Sequence, residues 1–103
     1  MEVLKNYIGG KWIESVSKET VDVLNPATGE VLAKVPSGDA TVDDVSKAVE
    51  KAHKAYLQWK DLSVLKRIQP LFKLKQLLEE SATDIARIIT MESGKTLAES
   101  RGE

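Results

Sequence analysis

The chain has 103 residues, 42% of them apolar and 30% charged, and its 15 basic and 16 acidic side chains leave a net charge of -1. That balance belongs to one small ordered domain or to part of a larger one; it excludes a disordered tail and offers no field of one sign to attract nucleic acid or an anionic membrane. No cysteine is present, which excludes disulfides, thiolate metal sites and a thiol nucleophile from this stretch.

Met1-Glu2-Val3-Leu4-Lys5-Asn6 lacks the basic start and apolar run of a secretory signal. No apolar stretch approaches the ~20 residues that span a bilayer, so a soluble, cytoplasmic protein is expected. The first third then reads as strands. Tyr7-Ile8 and Lys11-Trp12-Ile13 flank Gly9-Gly10, and glycine supplies the positive φ that a two-residue hairpin turn requires. Tyr7 and Trp12 are expected on the apolar face of that hairpin. A second hairpin pairs Val21, Val23 and Leu24 with Val31, Leu32 and Val35 across Asn25-Pro26-Ala27-Thr28-Gly29-Glu30. In that turn proline presets φ, asparagine accepts a local hydrogen bond and Gly29 takes the left-handed position.

From Thr41 the apolar period becomes helical. Val42, Val45, Ala48, Val49, Ala52, Ala55, Tyr56 and Trp59 recur at steps of three and four, one stripe of a helix with Lys47, Glu50, Lys51 and Lys54 on its solvated side. Thr41 is the expected N-cap, with Asp44 in the capping-box position. Ser63 is expected to cap a second helix through Ile68, Leu71, Phe72, Leu74, Leu77 and Leu78, kinked or started late by Pro70. Ser81, with Asp84 three residues on, is expected to open a third helix that ends near Ser93-Gly94. A fourth helix begins around Lys95 or Thr96 and has barely started at Glu103, so its remainder is expected elsewhere. The fold class expected is α+β, two small β-hairpins over 1–40 followed by three to four helices over 41–103, in one continuous subdomain with no repeat or linker.

Few residues here carry chemistry. Ser93-Gly94-Lys95-Thr96 looks like the end of a phosphate-binding loop, but Ile89 stands where that motif needs glycine and helix, not strand, precedes it. A helix cap and restart is the better reading. His53 is the single histidine and lacks the companions of a metal site. Glu79, Glu80, Glu92, Glu99 and Glu103 read as surface charge, and Trp12, Trp59, Tyr56 and Phe72 as packing residues.

Five blocks in a fixed order resemble the opening of the aldehyde dehydrogenases: Tyr7-Ile8-Gly9-Gly10-Lys11-Trp12, Asn25-Pro26-Ala27-Thr28-Gly29-Glu30-Val31, Asp44 to Trp59, Ser63-Val64-Leu65-Lys66-Arg67, and Met91-Glu92-Ser93-Gly94-Lys95-Thr96-Leu97-Ala98-Glu99. Trp59-Lys60-Asp61-Leu62-Ser63-Val64-Leu65 and Gly94-Lys95-Thr96-Leu97-Ala98 look most like the methylmalonate-semialdehyde dehydrogenase branch.

The resemblance implies that residues 1–103 are the amino-terminal portion of the α/β NAD-binding domain of such an enzyme, with the catalytic domain absent. The parent would oxidise an aldehyde or semialdehyde with NAD or NADP through a cysteine thioester, released to water or to coenzyme A. No catalytic or cofactor-binding residue transfers to this chain, which alone would be inactive and bind no cofactor. The resemblance also implies a homo-oligomeric parent, a small-molecule aldehyde and the remainder of the dehydrogenase chain as partners, and neither nucleic acid nor membrane. Some family members hold a monovalent cation at positions that correspond to Leu24 and Glu92. The competing reading is a stand-alone, non-catalytic helical interaction module, because three amphipathic helices can bury a modest core.

Overall fold

The computed structural model describes residues 2–103. Its elements are β1 (Asn6–Ile8), β2 (Lys11–Ile13), β3 (Glu19–Leu24), β4 (Val31–Ser37), α1 (Thr41–Trp59), α2 (Val64–Glu80), α3 (Ala82–Ser93) and α4 (Leu97–Arg101). Two antiparallel hairpins followed by four helices match the α+β expectation. By their contacts the residues fall into two units, 1–24 with 31–61 and 25–30 with 62–103. Thus α1 groups with the strands, and the turn between β3 and β4 groups with the later helices.

In the first unit, Gly9 and Gly10 have φ of 60° and 79°, the left-handed pair that joins β1 to β2 without splaying the strands. Tyr7 lies directly opposite Trp12, with ring centroids 5.0 Å apart. In the other hairpin Asp22 faces Lys34 and pairs with it at 2.6 Å. A register shift between Val23 and Leu24 sets Leu24 against Val31, leaving Leu32 as the extra residue of a bulge. The amino-terminal segment lies alongside β4 through a parallel bridge from Val3 to Lys34, bonded by Leu4 N–H to the Lys34 carbonyl at 2.8 Å.

The start of α1 departs from the expected cap. Ala40 is already helical, at φ -64° and ψ -20°, so Thr41 lies inside the first turn and its hydroxyl donates back to the Gly38 carbonyl at 2.7 Å. Asp44 is turned to another use. It accepts from the Ser15 hydroxyl and, at 3.3 Å, from the Val16 N–H, tying the segment after β2 to the helix.

In the second unit the turn is closed by its own polar groups. Asn25 Oδ1 accepts from Ala27 N–H at 2.9 Å, and the Asn25 carbonyl accepts from Gly29 N–H at 2.7 Å. Ser63 caps α2 as expected, accepting from Lys66 N–H at 3.3 Å. The helix runs from Val64 to Glu80 with Pro70 inside it, so Pro70 does not delay its start. Ser81 makes no side-chain cap; its own N–H bonds the Leu77 carbonyl, which leaves the residue as the joint between α2 and α3. Gly94 ends α3 at φ 78°, and Thr96 and Glu99 form a complete capping box for α4.

The apolar stripes are where the expected core is missing. Among the described residues only Ala86 is a buried apolar side chain, and only Ser100 a buried polar one, both at 2% exposure. Trp12, Trp59, Tyr56 and Phe72, expected to pack, are all exposed, as are Val42, Val45 and Val49 of α1. Their periodicity made the right helices, but among the described residues nothing buries those side chains.

Candidate functional site

The segment that resembled a phosphate loop is a helix terminus and restart. Gly94 takes the left-handed conformation that ends α3 and donates its N–H to the Thr90 carbonyl. The Lys95 ammonium pairs with Glu103. Thr96 Oγ1 accepts from Glu99 N–H, and Glu99 Oε2 from Thr96 N–H, each at 3.2 Å. The Ser93 hydroxyl and the Gly94 N–H close α3, while Thr96 caps α4.

Gly94 also meets the Asn25–Glu30 turn. A Cβ added there would lie 3.3 Å from Pro26 Cγ, so the absence of a side chain admits the turn against the α3–α4 joint. Two of the sequence blocks, far apart along the chain, thereby become one structural feature. Beside it the Thr90 and Ser100 hydroxyls share a hydrogen bond of 2.9 Å, and the small side chains of Ala86 and Ser100 let α3 and α4 approach closely.

The other candidates lie on β3, α1, α2 and α3. Leu24 closes β3 in the first unit, and Glu92 lies in the last turn of α3 in the second. No group of three or more histidine, cysteine, aspartate or glutamate side chains able to hold a metal exists among the described residues. His53 sits exposed on α1 with its ring 6.1 Å from that of Tyr56. Glu79 pairs with Lys75 one helical turn away, and Glu80 accepts from Gln76 at 2.9 Å, as befits a solvated face. In the first unit Ile8, Ile13 and Val16 floor an open groove of about 200 Å³, rimmed by Lys47, Lys51 and Lys54.

A nicotinamide dinucleotide does not fit what this chain presents. Such a site is built on parallel strands with a glycine-rich turn leading into a helix, whereas β1–β4 are antiparallel hairpins and Gly94 is a cap. What the chain does present is uncovered apolar surface on α1 and α2. One group on α2 gave no signal in the sequence: the Arg67 Nε is sealed from solvent and has no hydrogen-bond partner among the described residues.

The hairpins, the Asn-Pro turn and the glycine-ended α3 recur together in a known class of oxidoreductases. The sequence model of the aldehyde dehydrogenase family matches residues 12–103, and the chain belongs to that family. It is 52% identical over 100 residues, covering 97% of this chain and 20% of the relative, to malonate-semialdehyde dehydrogenase 2 of Oceanobacillus iheyensis. Against malonate-semialdehyde dehydrogenase 1 of Geobacillus kaustophilus it is 48% identical over 101 residues, 98% of this chain and 20% of that one. Among solved structures, one described as a methylmalonate-semialdehyde dehydrogenase of Sinorhizobium meliloti, complexed with NAD, superimposes with a TM-score of 0.90 at 31% identity, covering 99% of this chain and 20% of that chain. An aldehyde dehydrogenase of Bartonella henselae gives 0.91 at 29% identity over 99% of this chain and 21% of its own. The chain therefore spans about a fifth of the length of the relatives it matches. The resemblance of the five sequence blocks to the aldehyde dehydrogenases is borne out, and relatives and a structural neighbour named for malonate and methylmalonate semialdehyde stand beside it.

Proposed function

We propose that the chain is the amino-terminal portion of an NAD-dependent semialdehyde dehydrogenase that acts on malonate semialdehyde or its methyl-substituted homologue. The observation that carries this reading is the match of 97–100% of this chain to relatives named malonate-semialdehyde dehydrogenase, at 46–52% identity for the first three, beside a structural neighbour described as a methylmalonate-semialdehyde dehydrogenase. The thiol that would attack the aldehyde cannot come from a chain without cysteine, so the covalent chemistry belongs to other parts of the parent. The contribution of these residues is scaffolding: capped helices and hairpins that complete the outside of the cofactor domain. On its own the chain would turn over nothing. The same reading makes the parent a cytoplasmic homo-oligomer, with its acyl group leaving to water or coenzyme A.

The stand-alone module is disfavoured by the exposure of Val42, Val45, Leu71 and Phe72, which a self-sufficient helical domain would bury. The test is a graft. This chain replaces the aligned segment of the Oceanobacillus iheyensis relative, and NAD reduction is followed with malonate semialdehyde. A soluble chimera that turns over is expected. A chimera that aggregates, or that folds and does not reduce NAD, would refute the assignment.

A further inference from the structure

The β1–β2 hairpin and the polar face of α1 border a groove that the dehydrogenase reading leaves without a task. Its floor is aliphatic: Ile8 is half-buried, while Ile13 and Val16 are exposed by 40% and 48%. Lys47, Lys51 and Lys54 form its rim, all within the first unit. Positions three and four apart share one side of a helix, and this side is the reverse of the stripe that carries Val42, Val45 and Val49. A layer that covered the stripe would lie across the helix from the groove. Three carboxylates also line it, and each is already held. Asp44 accepts from the Ser15 hydroxyl and the Val16 N–H, Glu14 pairs with Lys5 at 3.6 Å, and Glu50 pairs with Lys54 at 3.5 Å. Lys47 and Lys51 enter none of the ion pairs among the described residues. The Lys51 stem runs along the hairpin turn, its Cδ 3.0 Å from where a Cβ on Gly9 would stand.

We propose that this groove binds a short-chain aliphatic carboxylate, with its head group between Lys47 and Lys51 and its tail on Ile8, Ile13 and Val16. The two ammonium groups arise one helical turn apart, near enough to share a single anionic head. The tail gains by leaving water for aliphatic surface. Pockets for drug-sized ligands run from about 300 to 1,000 Å³, so a groove of about 200 Å³ takes something smaller. A second carboxylate at the far end of the ligand would come to rest on aliphatic side chains at the cost of its hydration, which favours a monocarboxylate. The proposal goes beyond the dehydrogenase assignment and does not rest on it.

The test is a titration of the chain with sodium hexanoate, read from the backbone amides of Ile8, Ile13 and Val16 in heteronuclear NMR spectra. Saturable shifts at those amides are expected, with a dissociation constant in the millimolar range that so few ligand atoms allow. Hexylamine, which has the same tail and the opposite charge, is expected to leave them in place. Lys47→Gln combined with Lys51→Gln is expected to weaken hexanoate binding at least fivefold with the helix signal retained, because both side chains lie on the solvated face of α1. Lys73→Gln on α2 is expected to stay within twofold. If the isolated chain gives no dispersed spectrum, calorimetry on the chimera described above, with and without the lysine pair, reads the same difference. Shifts that do not saturate, an equal response to hexylamine, or hexanoate binding unaltered by loss of the lysine pair overturns the proposal. The dehydrogenase assignment stands or falls separately, on the graft.

Discussion

Replacing Gly94 by alanine separates two demands that meet at one backbone position. The first is conformational: φ is 78°, and an L-residue held there costs about 1–2 kcal/mol. Alanine returns about 0.4–1 kcal/mol of that by restricting the unfolded chain, leaving a net backbone cost of roughly 0.5–1 kcal/mol by the same reasoning. The second demand is steric. The new Cβ would stand 3.3 Å from Pro26 Cγ, closer than an optimal carbon contact of about 3.5–4.0 Å, so the turn has to give by a few tenths of an ångström.

Together these predict a loss of about 1–2 kcal/mol, seen as a lower midpoint of the helix signal on heating. The assay is thermal unfolding of the 103-residue chain followed by its helix signal, with Gly94→Ala measured alone and in a Pro26→Ala background. Relief of part of the loss in the double variant would assign that part to the contact. Gly94→Asn should cost less than alanine, because asparagine tolerates the left-handed region. An alanine variant as stable as the parent, or more so, would refute both the cap and the turn contact.

Three further outcomes are expected. Asp44→Ala should remove the acceptor shared by Ser15 and Val16, costing about 1–3 kcal/mol, and the Val16 amide should exchange faster with solvent. Thr96→Ala breaks one arm of the capping box; a loss of about 0.5–2 kcal/mol should appear as fraying of α4, read from amide protection at Glu99 and Ser100. Leu71→Glu together with Leu74→Glu, both at exposed apolar positions, should reduce concentration-dependent self-association in sedimentation velocity. Unchanged self-association would show that α2 is not its source.

The residues whose structure was legible in the sequence are those whose signal is local. Gly9-Gly10 needs only its own φ values to specify a hairpin, and Gly94 needs only the end of a helical period. Ser63 was read correctly as a cap because nothing nearby competes for its hydroxyl. Thr41 has the same side-chain chemistry and does not cap, since the backbone turns helical before reaching it and Gly38 offers a carbonyl first. Asp44 illustrates the same limit: its bond to Ser15 joins residues 29 apart, and no local rule points to that partner. The stripe from Val42 to Trp59 correctly announced a helix with an apolar face. It could not say that the layer to cover that face lies outside these residues. Arg67 was silent for a related reason, because an arginine in a helix looks like surface charge until its burial is known.

The Pro26–Gly94 contact also imposes an order on synthesis. Roughly 70 residues separate the two positions, so at about 5–20 residues per second the turn emerges some 4–14 s before the glycine that receives it. During that interval the hairpin tip has to hold its shape unaided. The hydrogen bonds from Ala27 and Gly29 to Asn25 provide the means, since they are complete within five residues and require nothing the ribosome has yet to make.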